Sequence, residues 1–321
     1  MTHPIPAGIR RPNPDGSTGV LALMAGLGLF ALAPAARAQH ADAWTPGKGH
    51  GAISIAYQDL YIHYHTTSTG EKQVPGTIDN HVVFLDFDYG LTDRWAINID
   101  LPFKSNRYQG RPHPPLDDDH DHGDVFIEDG RYHGGWADWN LGLRYQWRAE
   151  PWAITPYLSY GVPARDYYTY AHSAPGTGQK RLELGINAGH RFAAPLQNLY
   201  FQGGYGYSVM EVVEHRRVNH STLSLELGYF VTPRLTARLR VLGQKTYNGF
   251  DFPRDYPPGQ NDEHLFFHDQ NLRNDFVNIG AGVDYQLDDR YGLFASYGHT
   301  VWGENTHLID YALTVGISRG F

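Results

Sequence analysis

Cysteine is absent from all 321 residues, so no disulfide staples the chain and no thiolate is available to a metal. Long apolar runs are scarce as well. The mean hydropathy is −0.47, and the one sustained apolar stretch, Val20 to Ala33, is too short and wrongly flanked to cross a bilayer as a helix. A helical membrane protein is thereby excluded. Basic charge is also thin: 26 Lys+Arg stand against 34 Asp+Glu, a balance that argues against nucleic acid as a partner.

What is present first is an address. Arg10 and Arg11 precede the apolar stretch, which closes on small residues and "ARA" at 36–38, the pattern of a secretory leader with its cleavage site. We expect residues 1–38 to be removed and residues 39–321 to fold as one unit outside the cytoplasm. Without the leader, 23 basic and 33 acidic side chains remain, a net charge of about −10.

The rest of the chain alternates. "WAINIDLPF" from Trp95 sets Trp95, Ile97, Ile99, Leu101 and Phe103 on one face and Ala96, Asn98 and Asp100 on the other. "DWNLGLRYQW", "RLELGIN", "LSLELGY", "LTARLRV", "VNIGAGVDY" and "DYALTVGI" repeat the pattern. Twelve such segments are expected, near 51–65, 78–90, 94–106, 134–148, 152–164, 179–192, 198–212, 217–230, 234–247, 273–287, 291–303 and 307–321. An even count suits a single-chain bacterial outer-membrane barrel.

The connections separate a barrel from a soluble sandwich. Alternate ones are short ("GLTD" at 90, "RAEP" at 148, "AAPLQ" at 193, "VTPR" at 231, "LDDR" at 287), and the longest, near 107–133 and 248–272, fall between them. Short periplasmic turns opposed to longer extracellular loops mark an all-β, up-and-down antiparallel transmembrane barrel. Tyr89, Trp95, Trp147, Trp152, Phe192, Tyr200, Tyr229, Tyr285 and Tyr291 flank the short turns, where rings favour the headgroup level. The chain ends on Tyr311, Leu313, Val315, Ile317 and a terminal Phe321, which looks like the signal read by barrel-assembly machinery. Outer-membrane lipid and that machinery are therefore the expected partners.

If the apolar face meets lipid, the lumen receives Asp86, Asp88, Asp100 and Asp138 from the early strands and Arg238 and Arg240 from a later one, with Arg144, Arg181, Glu183, Glu226 and Asp284 between. Acidic and basic walls facing each other would set a transverse field that selects polar solutes. Alternatively, the charges pair across a filled interior and stabilise it. Pro102 and Pro156 each remove a ladder donor, which marks either a bulge opening the wall sideways or a flare into the loops. The expected N-terminus of about a dozen residues is too short for a plug domain.

The stretch "PPLDDDHDHGDVFIEDG" falls in a long extracellular loop. His113, His120, Asp121, His122, Asp124 and His133 combine imidazole and carboxylate donors suited to a divalent metal such as zinc or nickel. The plainer reading is charge that keeps an exposed loop solvated. No other cofactor is expected.

Enzyme chemistry finds little footing. His220 and Ser221 in "NHST" are adjacent on a strand and point to opposite faces, and His172 and Ser173 lie in a loop. "NLYFQGG" from Asn198 is close to a protease-tag sequence, yet it alternates as a strand and completes the even count.

"YGLTDRWAINIDLPF", "GGWADWNLGLRYQW" followed by "ITPYLSYGVPARDY", and "LELGYFVTPRLTARLRVLG" resemble the outer-membrane barrels known as transporters of the meta-pathway of phenol degradation. The resemblance runs from about residue 50 to Phe321. It implies uptake of small aromatic or hydrophobic solutes and brings no catalytic residues with it.

Overall fold

The computed structural model describes residues 42–110, 127–169, 172–251 and 268–321; the leader expected at 1–38 lies outside the described residues. In chain order the elements are β1 (Gly51–Thr66), β2 (Lys72–Gln73), β3 (Gly76–Gly90), β4 (Trp95–Gly110), β5 (His133–Trp136), β6 (Asp138–Tyr145), β7 (Trp152–Pro163), β8 (Arg181–Arg191), β9 (Leu199–Met210), β10 (His220–Phe230), β11 (Leu235–Thr246), the single-turn helix α1 (His268–Asn271), β12 (Asp275–Gln286), β13 (Tyr291–Glu304) and β14 (His307–Gly320).

Pairing is antiparallel throughout, and β14 returns to β1, with Ala52 opposite Gly320 at one end and His65 opposite His307 at the other. The result is a closed barrel of twelve staves, in which β5 and β6 share one stave and β2 is a short ribbon on the tip of β1. Closure leaves no sheet edge, the condition for a strand-built wall to survive in lipid.

Burial is inverted relative to a soluble fold. Neighbours in β8 show it: Leu184 is 59% exposed and Glu183 3%. In β11 Leu239 is 58% exposed and Arg238 9%. Large apolar side chains dominate the outer face and most buried inward positions are polar, with an apolar inward cluster at Ala56, Val82, Phe84 and Phe294, a pattern stable only where the outside is hydrocarbon.

Three short turns use one device. Thr92 Oγ1 accepts the backbone N–H of Arg94 (3.2 Å) and Trp95 (2.8 Å), and Thr232 Oγ1 does the same for Arg234 (3.2 Å) and Leu235 (3.0 Å). Asp288 Oδ1 takes those of Arg290 (2.7 Å) and Tyr291 (2.8 Å). A side-chain oxygen thus satisfies two donors that a tight turn leaves without ladder partners. Each turn's arginine carbonyl then accepts a bond from the next hairpin: Gln146 to Arg94, Gln286 to Arg234, Gly320 to Arg290, all at 2.7 Å.

Neither proline opens the wall. Pro102 offers no N–H, and opposite it β5 and β6 part at Ala137, so that Asp100 faces Asn140 while Phe103 faces Trp136, a one-residue slip. The Ala137 N–H donates to the Pro102 carbonyl at 3.0 Å and closes the bulge. Pro156 stands opposite Ile186 inside a continuous β7–β8 ladder. The sideways opening considered above is thus a sealed bulge at Pro102 and, at Pro156, a ladder continuous toward β8 that slips by one residue toward the β6 side, between Arg144–Tyr157 and Arg148–Ile154.

At the short-turn end Phe321 bonds Gly51 through both backbone groups at 3.1 Å and lies in a stack with Phe87 (6.2 Å) and Tyr89 (6.1 Å). Tyr311 stacks on Tyr61 at 5.9 Å nearer the long-loop end.

Candidate functional site

The lumen is organised in three storeys. The lowest, at the short-turn end, is filled. Asp42, Ala43 and Trp44 fold back inside the barrel as a strap, and Ala43 is 0% exposed. Its N–H donates to Gln202 Oε1 (3.1 Å), and its carbonyl accepts from Thr155 Oγ1 (2.6 Å) and Gln146 Nε2 (3.1 Å). Trp44 meets the edge of Tyr200, with ring centroids 6.3 Å apart, and Arg191 lies 5.0 Å over its ring. Gly189 is the seat: a Cβ there would stand 2.6 Å from the Trp44 ring and 2.7 Å from Ala43. Three residues that precede β1 thus occupy the bore.

Around and above the strap runs a band of ion pairs. Asp88 binds Arg144, and Glu226 binds Arg240 while Arg238 reaches it at 3.5 Å and Asp284 at 2.6 Å. Tyr200 donates to Glu226 at 2.7 Å; its ring lies so flat over Gly228 that a Cβ would sit 2.0 Å from it. Glu183 accepts from Tyr157 (2.7 Å) and Ser208 (2.8 Å). The basic wall, Arg238 and Arg240, is therefore neutralised by Glu226 and Asp284 beside it, and of the acidic wall Asp88 is neutralised by Arg144, while Asp86, Asp100 and Asp138 take the neutral donors of Ser54, Asn140 and Tyr167. The reason is distance: Glu226 and Arg240 are register partners on adjacent strands, where inward side chains are neighbours, whereas opposite walls are a barrel width apart.

The middle storey is a chamber of about 410 Å³. Leu60, Val82, Phe84, Phe276 and Ile309 give it an apolar side, and Asp100, Lys104, Asp138, Asn140 and Arg181 a polar one. Asp100 accepts from Asn140 at 2.9 Å and from Asn98 at 3.4 Å, and Asp86 from Ser54 at 3.3 Å.

The upper storey is a lid. Described residues of the connection between β7 and β8 turn inward over the chamber, and Tyr167 donates to Asp138 while accepting the Gly178 N–H at 2.8 Å. Burial and the Asp138 carboxylate push the Tyr167 phenol well up, which keeps it a donor. Asn106 holds the Ala174 carbonyl at 2.7 Å, and Gln270 of α1 holds that of Thr177 at 2.6 Å. His172 stacks on Tyr108 at 4.4 Å and contacts Glu128 at 3.0 Å, while Ser173 donates to the Ile127 carbonyl at 2.7 Å. This His and Ser are thus occupied separately, and on β10 Ser221 meets Tyr205 at 2.8 Å.

Of the proposed metal ligands, His113, His120, Asp121, His122 and Asp124 lie outside the described residues. His133 pairs with Asp129 at 2.7 Å, a contact that holds the Asp129 carboxyl below its ordinary range. Among the described residues no group of three or more His, Asp or Glu is placed to hold a metal.

Sequence reasoning missed the strap, the lid, Gln202 and Lys104, and it set Tyr200 in the outer aromatic girdle, whereas that ring is 1% exposed and turned into the lumen. A bulky polar residue set against an inward glycine on the next strand, as Tyr200 is against Gly228, was the available signal.

Among solved structures, the chain is similar to the COG4313 outer membrane channel from Pseudomonas putida F1, at a TM-score of 0.64 and 12% identity over 87% of this chain and 98% of that one. This is an outer-membrane β-barrel. The barrel also overlays the Bordetella BrkA β domain (TM-score 0.47, 13% identity, 85% and 99% covered) and the NalP translocator domain from Neisseria meningitidis (0.49, 10%, 89% and 91%). At such identities the likeness concerns the fold alone. No protein-family model and no curated protein sequence matches the chain, so the phenol-pathway resemblance rests on its turn and strand motifs.

Proposed function

We propose that this outer-membrane barrel is a passive channel for small solutes, aromatic or hydrophobic ones among them. The observation that carries the reading is the chamber of about 410 Å³, amphipathic in its lining and set in the bore of a closed barrel. That volume is typical of pockets that take small organic ligands. The neighbour named an outer membrane channel supports the reading by fold, and the phenol-pathway resemblance supplies the solute class. Phe321 and Tyr311 serve assembly in it, and Asp86, Asp88, Asp100, Asp138 and their partners line the path.

One observation favours a second reading: the strap and ion-pair band fill the lowest storey, as in a plugged barrel that works through its extracellular loops. Single-channel conductance of the refolded chain in a planar bilayer, with and without phenol, separates the two. Steady conductance that phenol reduces supports the channel. Silence from a correctly folded barrel rejects it.

A further inference from the structure

Hydrogen-bonding capacity inside the chamber is spent unevenly. The acids of its lining already hold donors: Asp100 has the amides of Asn98 and Asn140, and Asp138 has the Tyr167 hydroxyl. The cations do not hold acceptors in the same measure. Arg181 gives one bond, to Asn140 Oδ1 at 3.2 Å, and forms no ion pair among the described residues. Lys104, half-buried and turned inward beside Val82, makes no hydrogen bond and no ion pair among the described residues; Asp138 is the carboxylate whose field reaches it.

An ammonium carries three donors and accepts nothing. Leaving them unmet in a partly dehydrated cavity is costly, and a carboxylate is the partner that repays it best. The other side of the same chamber, around Val82, Phe84 and Phe276, is apolar apart from the amides of Gln58, Asn80, Gln244 and Asn278 and carries no charge. We infer that the chamber binds organic monocarboxylates, with Lys104 and Arg181 on the carboxylate and the apolar wall on the hydrocarbon body. The inference rests on the chamber being part of the solute path proposed above, and it adds a charge requirement to that path.

Calorimetry on the refolded full-length barrel in detergent tests it with three probes of one shape: benzoate, benzyl alcohol and benzylammonium. Benzoate should bind about tenfold or more tighter than benzyl alcohol, the gain expected of a charge-assisted hydrogen bond. Benzylammonium should bind weakest. Lys104→Met should erase the preference for benzoate over benzyl alcohol, while Lys104→Arg should keep it. Lys72→Met, at the exposed tip of the barrel, should change nothing.

No heat of binding for any probe, equal binding of all three, or a benzoate preference that survives Lys104→Met would each overturn the inference. If Lys104→Met fails to fold, the probe series on the unaltered chain together with Lys104→Arg still decides. The channel reading fails separately: benzoate bound by a barrel that is silent in the bilayer keeps the site and loses the channel. Conductance without carboxylate preference does the reverse.

Discussion

At the scale of single residues, the lumen depends on a few side chains that satisfy several partners at once. Glu226 is 4% exposed and serves Tyr200, Gln202, Arg238 and Arg240. Truncating it removes an acceptor shared by two buried guanidinium groups, and breaking a buried pair in this way costs about 3–5 kcal/mol. Glu226→Ala should therefore lower the urea midpoint of the refolded barrel by far more than a change on the solvated loops. An unaltered midpoint would mean that water hydrates Arg238 and Arg240 and that the lowest storey is looser than its contacts imply.

At the scale of elements, the hairpin turns are where a short sequence dictates a local structure. Thr92, Thr232 and Asp288 occupy the same place in "LTDRW", "VTPRL" and "LDDRY", and each oxygen caps two backbone donors. For Asp288 those two bonds hold the carboxyl below its ordinary value of 3.8. A depressed folded-state value means stability that is fully present above the unfolded value and lost as the pH falls through the folded one. The turn should loosen only below about pH 4. Asp288→Asn keeps an oxygen acceptor but has no proton to gain, so amide exchange at Arg290 and Tyr291 should lose its acid limb in the variant. The same acid limb in both proteins would assign it to another group.

At the scale of the whole molecule, the question is what stands in the bore. The strap is held by Gln202, Thr155 and Gln146 and seated on Gly189, where a side chain would collide with Trp44. Gly189→Leu should expel the strap without touching the outer wall, since the position faces inward. Its conductance should rise above that of the unaltered barrel. If it stays the same, the limiting constriction is the lid, whose tether runs from Tyr167 to Asp138.

Strand positions and their two faces were legible in the sequence because alternation with a period of two is a local property, readable wherever lipid lies on one side and water or polar groups on the other. The observed strands lie within a few residues of the segments read from alternation, and the single stave that splits does so opposite Pro102. Strand count, closure and the inside-out distribution of polarity thus came from sequence alone. The contents of the lumen did not. Ala43 meets Gln202 across 159 residues and Asn106 meets Ala174 across 68, contacts that no local period encodes. Whether inward charges pair with neighbours or across the bore, and whether Lys104 is left with unmet donors, was decided only when closure set the distances between walls. The Coulomb and hydrogen-bond energies that settle such choices fall steeply with separation, and separation inside a barrel is a tertiary quantity.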